Sequence, residues 1–281
     1  MDDEWLVRYF HKAPRRSALP QTLTASLTAA GGYRGGTRKG LDLTFGMPST
    51  VTSPYFASLG SSASSRAETS TVGGILLRTI RCVADGRVIS GPSLLVDEIL
   101  RTSDAPSIAS LVKQKWNDDI SAFPATSSYR EVNLWLKRRS PSGPEPKPPI
   151  HTSPRIGLDL SNPETTDSFS HPRVIYVARP YRFFTNPHLL TANGRWQTLY
   201  GLYKELLLSP KHAEDERAMI QKLAKLTGLK LPTVERFLDD YKQGYESGKL
   251  KSFIGSMGKG ASASSSNYLR MMGTLDKAQN V

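Results

Sequence analysis

Two groups of residues could do chemistry on an acidic partner. The first is the turn Gly31-Gly32-Tyr33-Arg34-Gly35-Gly36-Thr37-Arg38-Lys39-Gly40, in which five glycines free the backbone for tight or positive-φ turns while Arg34, Arg38 and Lys39 supply charge. Cations on such a turn suit phosphate, and the plain alternative is a solvated surface loop. The second is Arg78, set in the apolar run Gly73-Gly74-Ile75-Leu76-Leu77-Arg78-Thr79-Ile80. A guanidinium emerging from an apolar strand requires a partner, and Asp42, Asp85 and Asp97 are the structural candidates. Cys82 is the only cysteine, which rules out an intrachain disulfide and a multi-cysteine zinc site. No metal or cofactor is expected.

The whole-chain charge points the same way. Lysine and arginine number 37 against 25 aspartates and glutamates, a formal charge of +12. This favours an extended acidic partner, nucleic acid first and an anionic membrane surface second, with a merely solubilising surface as the alternative. The start, Met1-Asp2-Asp3-Glu4-Trp5, lacks the basic flank and apolar core of a secretory signal, and no later run is apolar enough to span a membrane. The expectation is a soluble intracellular protein with no membrane partner.

The elements that must position these residues follow from periodicity. Residues 1–32 read as an N-terminal arm with a helix around 21–30. Leu41, Leu43 and Phe45 alternate with Asp42 and Thr44, a strand with one buried face fed directly by the basic turn. Residues 47–71, rich in Ser, Thr, Ala and Pro, read as a flexible insertion. Pro92 near a first-turn position and the apolar spacing of 94–100 predict a helix, with Ser90 or Ser93 as its cap, and a second helix is expected over 106–116. Val132, Leu134 and Leu136 suggest a strand, 140–154 a proline-rich linker or long loop, and 155–160 and 173–177 two more strands. From 196 the spacing turns helical, giving three short helices to about 254, while 255–281 is Gly-, Ser- and Ala-rich and is expected to be largely disordered.

Four segments carry a resemblance in consistent order: Gly74-Ile75-Leu76-Leu77-Arg78-Thr79, Ser90-Gly91-Pro92-Ser93-Leu94-Leu95, Pro154-Arg155-Ile156-Gly157 and Tyr176-Val177-Ala178-Arg179-Pro180. Over about 33–190 the chain resembles the alkyladenine, or 3-methyladenine, DNA glycosylase family. The resemblance implies an α+β fold around a curved, barrel-like antiparallel sheet, followed here by a helical extension over 195–254. It implies double-stranded DNA as partner, a base rotated into a pocket and a carboxylate that activates water, which would make the chain a monofunctional N-glycosylase of base-excision repair in the nucleus. Lys39-Gly40 stands where the family carries its wedge tyrosine and glycine, and an ammonium reaches phosphate but lacks a flat apolar face. Arg78 matches an arginine near the flipped nucleotide's phosphate, and Gly91, Pro92 and Ser93 match structural pocket residues. The family's acidic string E-T-E-A-Y does not occur, leaving Glu4 and Asp42 as the candidate carboxylates.

Residues 220–239 suggest a helix-turn-helix, with Ala224 at the helix contact, Gly228 at the turn and Val234 as anchor, and Leu223, Leu229 and Phe237 completing the core. Glu235, Asp239 and Asp240 give its second helix an acidic face, so ordinary helix packing, or a protein partner for the C-terminal helices, stands beside DNA reading. Three classes follow: an active glycosylase, a catalytically inactive nucleic-acid-binding module of the same fold, and a protein-interaction scaffold.

Overall fold

The computed structural model describes residues 39–45, 73–117, 132, 134, 147–190, 193–208 and 215–279, and the chain divides into two compact units, 1–141 and 142–281. The division falls inside the proline-rich stretch 140–154. Helix and strand are mixed, consistent with an α+β class, and the described strands join as three separate antiparallel pairs rather than one curved or closed sheet.

In the first unit β1 (Leu41–Phe45) pairs with β2 (Gly73–Leu77), Leu41 opposite Leu77 and Leu43 opposite Ile75. The run read as one strand through Ile80 breaks at Arg78. Its continuation, β3 (Thr79–Arg81), changes partner and pairs with β4 (Val88–Ser90). Gly86, at φ 73°, turns the β3–β4 hairpin, and the Cys82 N–H closes it on the Arg87 carbonyl at 2.8 Å.

Helix α1 (Pro92–Thr102) starts as expected with proline in its first turn, whose fixed φ and missing N–H cost nothing there. Leu95, Val96 and Leu100 form its buried stripe against Leu41. The short helix α2 (Ile108–Ser110) runs on into a π-type turn, Leu111–Lys115, where the Trp116 N–H reaches back to Leu111. Ile108, Leu111, Val112 and Trp116 complete this small core, and Val132 and Leu134 pack against it. Those two residues lie in no strand, contrary to the alternation; their apolar side chains serve the core without a sheet neighbour. Leu136 lies outside the described residues.

The second unit departs furthest from expectation. Its sheet is the pair β5 (His151–Ser153) and β6 (Arg182–Phe184), with Thr152 opposite Phe183. Thus a strand lies in the segment read as linker, and residues 155–160 are turn and loop because Gly157 takes φ 82°, which interrupts an extended run. Residues 173–177 are helical, not extended, forming α3 (Pro172–Val177). His171 caps it by accepting the Arg173 N–H, Pro172 fits the first turn, and Val174 and Val177, three apart, face the core. The apolar run Val174 to Val177 satisfies either period, and these start signals decided.

Four longer helices follow as α4 (Arg195–Leu207), α5 (Glu216–Thr227), α6 (Leu231–Ser247) and α7 (Ser265–Gln279). The last overturns the disordered tail expected over 255–281. Tyr268, Leu269, Met271, Met272 and Leu275 of α7 are all buried. Backbone contact explains how so small a set of apolar residues can hold a helix. A Cβ on Gly244 of α6 would lie 2.0 Å from the Arg270 carbonyl oxygen, and one on Gly273 would lie 2.1 Å from that of Tyr241. Gly273, part of the composition that made the segment look disordered, together with Gly244 of α6 therefore lets the two helices touch. Gly201 serves likewise between α4 and β5, where a Cβ would meet the Thr152 carbonyl oxygen at 2.1 Å.

Candidate nucleic-acid interface

The first unit brings three sequence-selected segments into one corner. Lys39 and Gly40 lead into β1, and the pairing of Leu41 with Leu77 carries that entry alongside Arg78. The Gly91 N–H donates to the Arg78 carbonyl at 2.7 Å, fixing the start of α1 to the same break between strands. Gly91 is needed for this approach, since its φ of 133° is a conformation side chains rarely adopt.

Ser93 does not cap its helix. The N-cap is Gly91, without a side-chain cap bond, and Ser90 instead accepts a 3.4 Å bond from the Thr79 hydroxyl. The Ser93 Oγ turns to the basic loop, accepting the Lys39 N–H at 3.1 Å and donating to the Lys39 carbonyl at 3.2 Å. These bonds clamp the Lys39 backbone from both sides. One turn along α1, on the same face, Asp97 Oδ1 lies 2.5 Å from Lys39 Nζ. Both side chains remain partly exposed, at 32% and 51%. Asp97 pairs with Lys39, where the sequence offered it as a partner for Arg78. The four-residue spacing from Ser93 is the signal that could have found its role.

The remaining charges of the corner are ordered by pairing. Glu98 receives hydrogen bonds from Arg101 and Arg87, each at 2.7 Å, and together they hold its carboxyl down at about 2. Asp85 accepts the Arg87 N–H and sits below the usual carboxylate range as a result. Arg78 itself is half-buried, and Arg81, at the end of β3, is exposed. Asp42 is half-buried on β1 opposite Leu76. Arg34, Arg38 and Glu4 lie outside the described residues.

Elsewhere, the helix-turn-helix reading finds its expected core. Gly228 takes φ 68° at the end of α5, Leu223, Val234 and Phe237 are buried, and Ala224 and Leu229 pack against them. The acidic face of α6 is smaller than the sequence implied, because Asp240 is buried against Arg270 of α7 at 3.1 Å. Among the described residues no cluster of His, Cys, Asp and Glu could hold a metal, and no helix is long and apolar enough to cross a membrane. No protein family, curated protein or solved structure matches the chain.

Proposed function

We propose that the first unit is a duplex-DNA-binding module of divergent 3-methyladenine-glycosylase type, with Lys39, Gly40 and Arg78 at its contact surface and Arg34 and Arg38 on the segment leading in. The supporting observation is the convergence of Lys39-Gly40, Arg78 and Gly91-Pro92-Ser93, three segments far apart in the chain, on one corner. A partly exposed Lys–Asp pair contributes little to stability, so its ammonium can exchange the Asp97 carboxylate for phosphate at small cost. Sequence-independent phosphate contacts would then supply most of the affinity.

Binding is favoured over base excision. Hydrolysis needs a carboxylate positioned to take a proton from water, and the acidic string E-T-E-A-Y that supplies it in the glycosylase family does not occur in the chain. Of the two candidate carboxylates, Asp42 lies on β1 and Glu4 is outside the described residues. A labelled duplex carrying methylated adenine or hypoxanthine tests this. The proposal expects salt-sensitive binding without release of the base; abasic sites that vanish in Asp42→Asn would show an active glycosylase instead. In a cell such a module would work on nuclear DNA, at or beside base-excision repair.

A further inference from the structure

The second unit carries an aromatic surface outside its core. Tyr176, Tyr181 and Phe183 are 55%, 55% and 68% exposed, unusually open for rings of this size. They form one group. Tyr176 at the end of α3 and Tyr181 just before β6 stack with centroids 6.3 Å apart and planes inclined by 29°. Tyr181 and Phe183 are two residues apart along an extended segment, so they point to the same side. The residue between them faces inward, where the Arg182 guanidinium lies over the Phe184 ring at 4.6 Å and bonds the Ser153 and Thr198 hydroxyls. That inner layer is tied down, which makes the outer rings a rigid display rather than a loose loop.

Charge selects the occupant. Arg155, Arg173 and Arg179 are exposed on the segments flanking these rings. Arg173 has only a 3.9 Å approach to Glu164, itself 85% exposed, and the nearby Glu205 is committed to His151 and the Thr152 N–H. Arginines interleaved with exposed rings fit a strand that carries phosphates and flat faces alternately, namely single-stranded nucleic acid with unpaired bases. A duplex keeps its base faces covered and could use only the arginines.

From this we infer that Tyr176, Tyr181 and Phe183, with Arg155, Arg173 and Arg179, form a stacking platform for unpaired nucleotides in single-stranded DNA or RNA. The inference stands on the second unit alone and does not depend on duplex binding by the first.

The test is fluorescence anisotropy with the full chain at one salt concentration, using a labelled short oligothymidylate, an abasic strand of equal length and a duplex. The platform predicts that oligothymidylate binds at least about tenfold tighter than the abasic strand, the scale of stacked bases. Tyr181→Ala and Phe183→Ala should each lose about tenfold on oligothymidylate alone, while Tyr181→Phe and Phe183→Tyr, which keep a ring, should retain it. Equal affinity for strands with and without bases would overturn the assignment, as would alanine variants that bind like the parent; either result would leave the face to a protein contact. Lys39→Ala with Arg78→Ala should move only the duplex arm, so failure there is read separately.

Discussion

The ion pairs around α1 in the first unit and the polar cluster beneath α7 in the second hold charge in opposite ways. In the first, Lys39–Asp97, Arg87–Glu98 and Arg101–Glu98 lie at or near the surface around a modest core built on Leu41, Leu95, Val96 and Leu111. In the second, Asp276 of α7 is 5% exposed and receives the Tyr200 hydroxyl at 3.0 Å, the Tyr241 hydroxyl at 2.8 Å and Lys204 Nζ at 3.0 Å. Burial first, and the Asp276 carboxylate next, push both phenols above their ordinary value, so they stay protonated and donating. A surface pair can be surrendered to a ligand, whereas a buried, satisfied carboxylate cannot be released without a large penalty. The contrast teaches which charges can be given up to a ligand: the cluster around Asp276 ties α7 to α4 and α6, while the surface pair of Lys39 with Asp97 is exchangeable.

The largest effect should come from the glycine contact that makes the second unit possible. Gly273→Leu must force α7 off α6, and a loss of more than about 4 kcal/mol, visible as a missing helical transition in a thermal melt, is expected. Asp276→Ala strands two phenols and an ammonium and should cost about 4 kcal/mol in urea unfolding; Asp97→Ala should cost less than about 1 kcal/mol. Similar costs for the two aspartates would erase the distinction between the units. Leu95→Ala, at a fully buried position of α1, should cost about 3 kcal/mol, showing that the first unit is held by its core rather than by its ion pairs.

The smallest effect concerns acid. Because Arg101 and Arg87 hold the Glu98 carboxyl at about 2, below its ordinary 4.5, its contribution is complete above that ordinary value. It should fade as pH falls from about 4.5 towards 2, and Glu98→Gln should flatten that part of the stability profile.

Local signals were legible where period and punctuation agreed. The strand at Leu41, the helix after Pro92 and the helical spacing of 196–247 needed only neighbours in sequence. What escaped was decided by distant parts of the chain. The helix at 265–279 depends on Gly244 and Gly273 admitting backbone contact, which composition alone reads as disorder. The helix at 172–177 was hidden by a valine–isoleucine run that also suits a strand, despite the His171-Pro172 start. At the candidate site, Lys39, Arg78 and the Gly91–Ser93 turn were visible as separate motifs. The bonds from Ser93 and Asp97 to Lys39 span 54 and 58 residues and could not be read locally.

The central claim is that the Lys39 and Arg78 corner neutralises phosphate. A duplex-DNA titration across salt concentrations, comparing the parent chain with Lys39→Ala/Arg78→Ala, measures it directly. Loss of two phosphate contacts should weaken binding and reduce the slope of log affinity against log salt by about 1.8. Unchanged affinity and an unchanged slope would contradict the account.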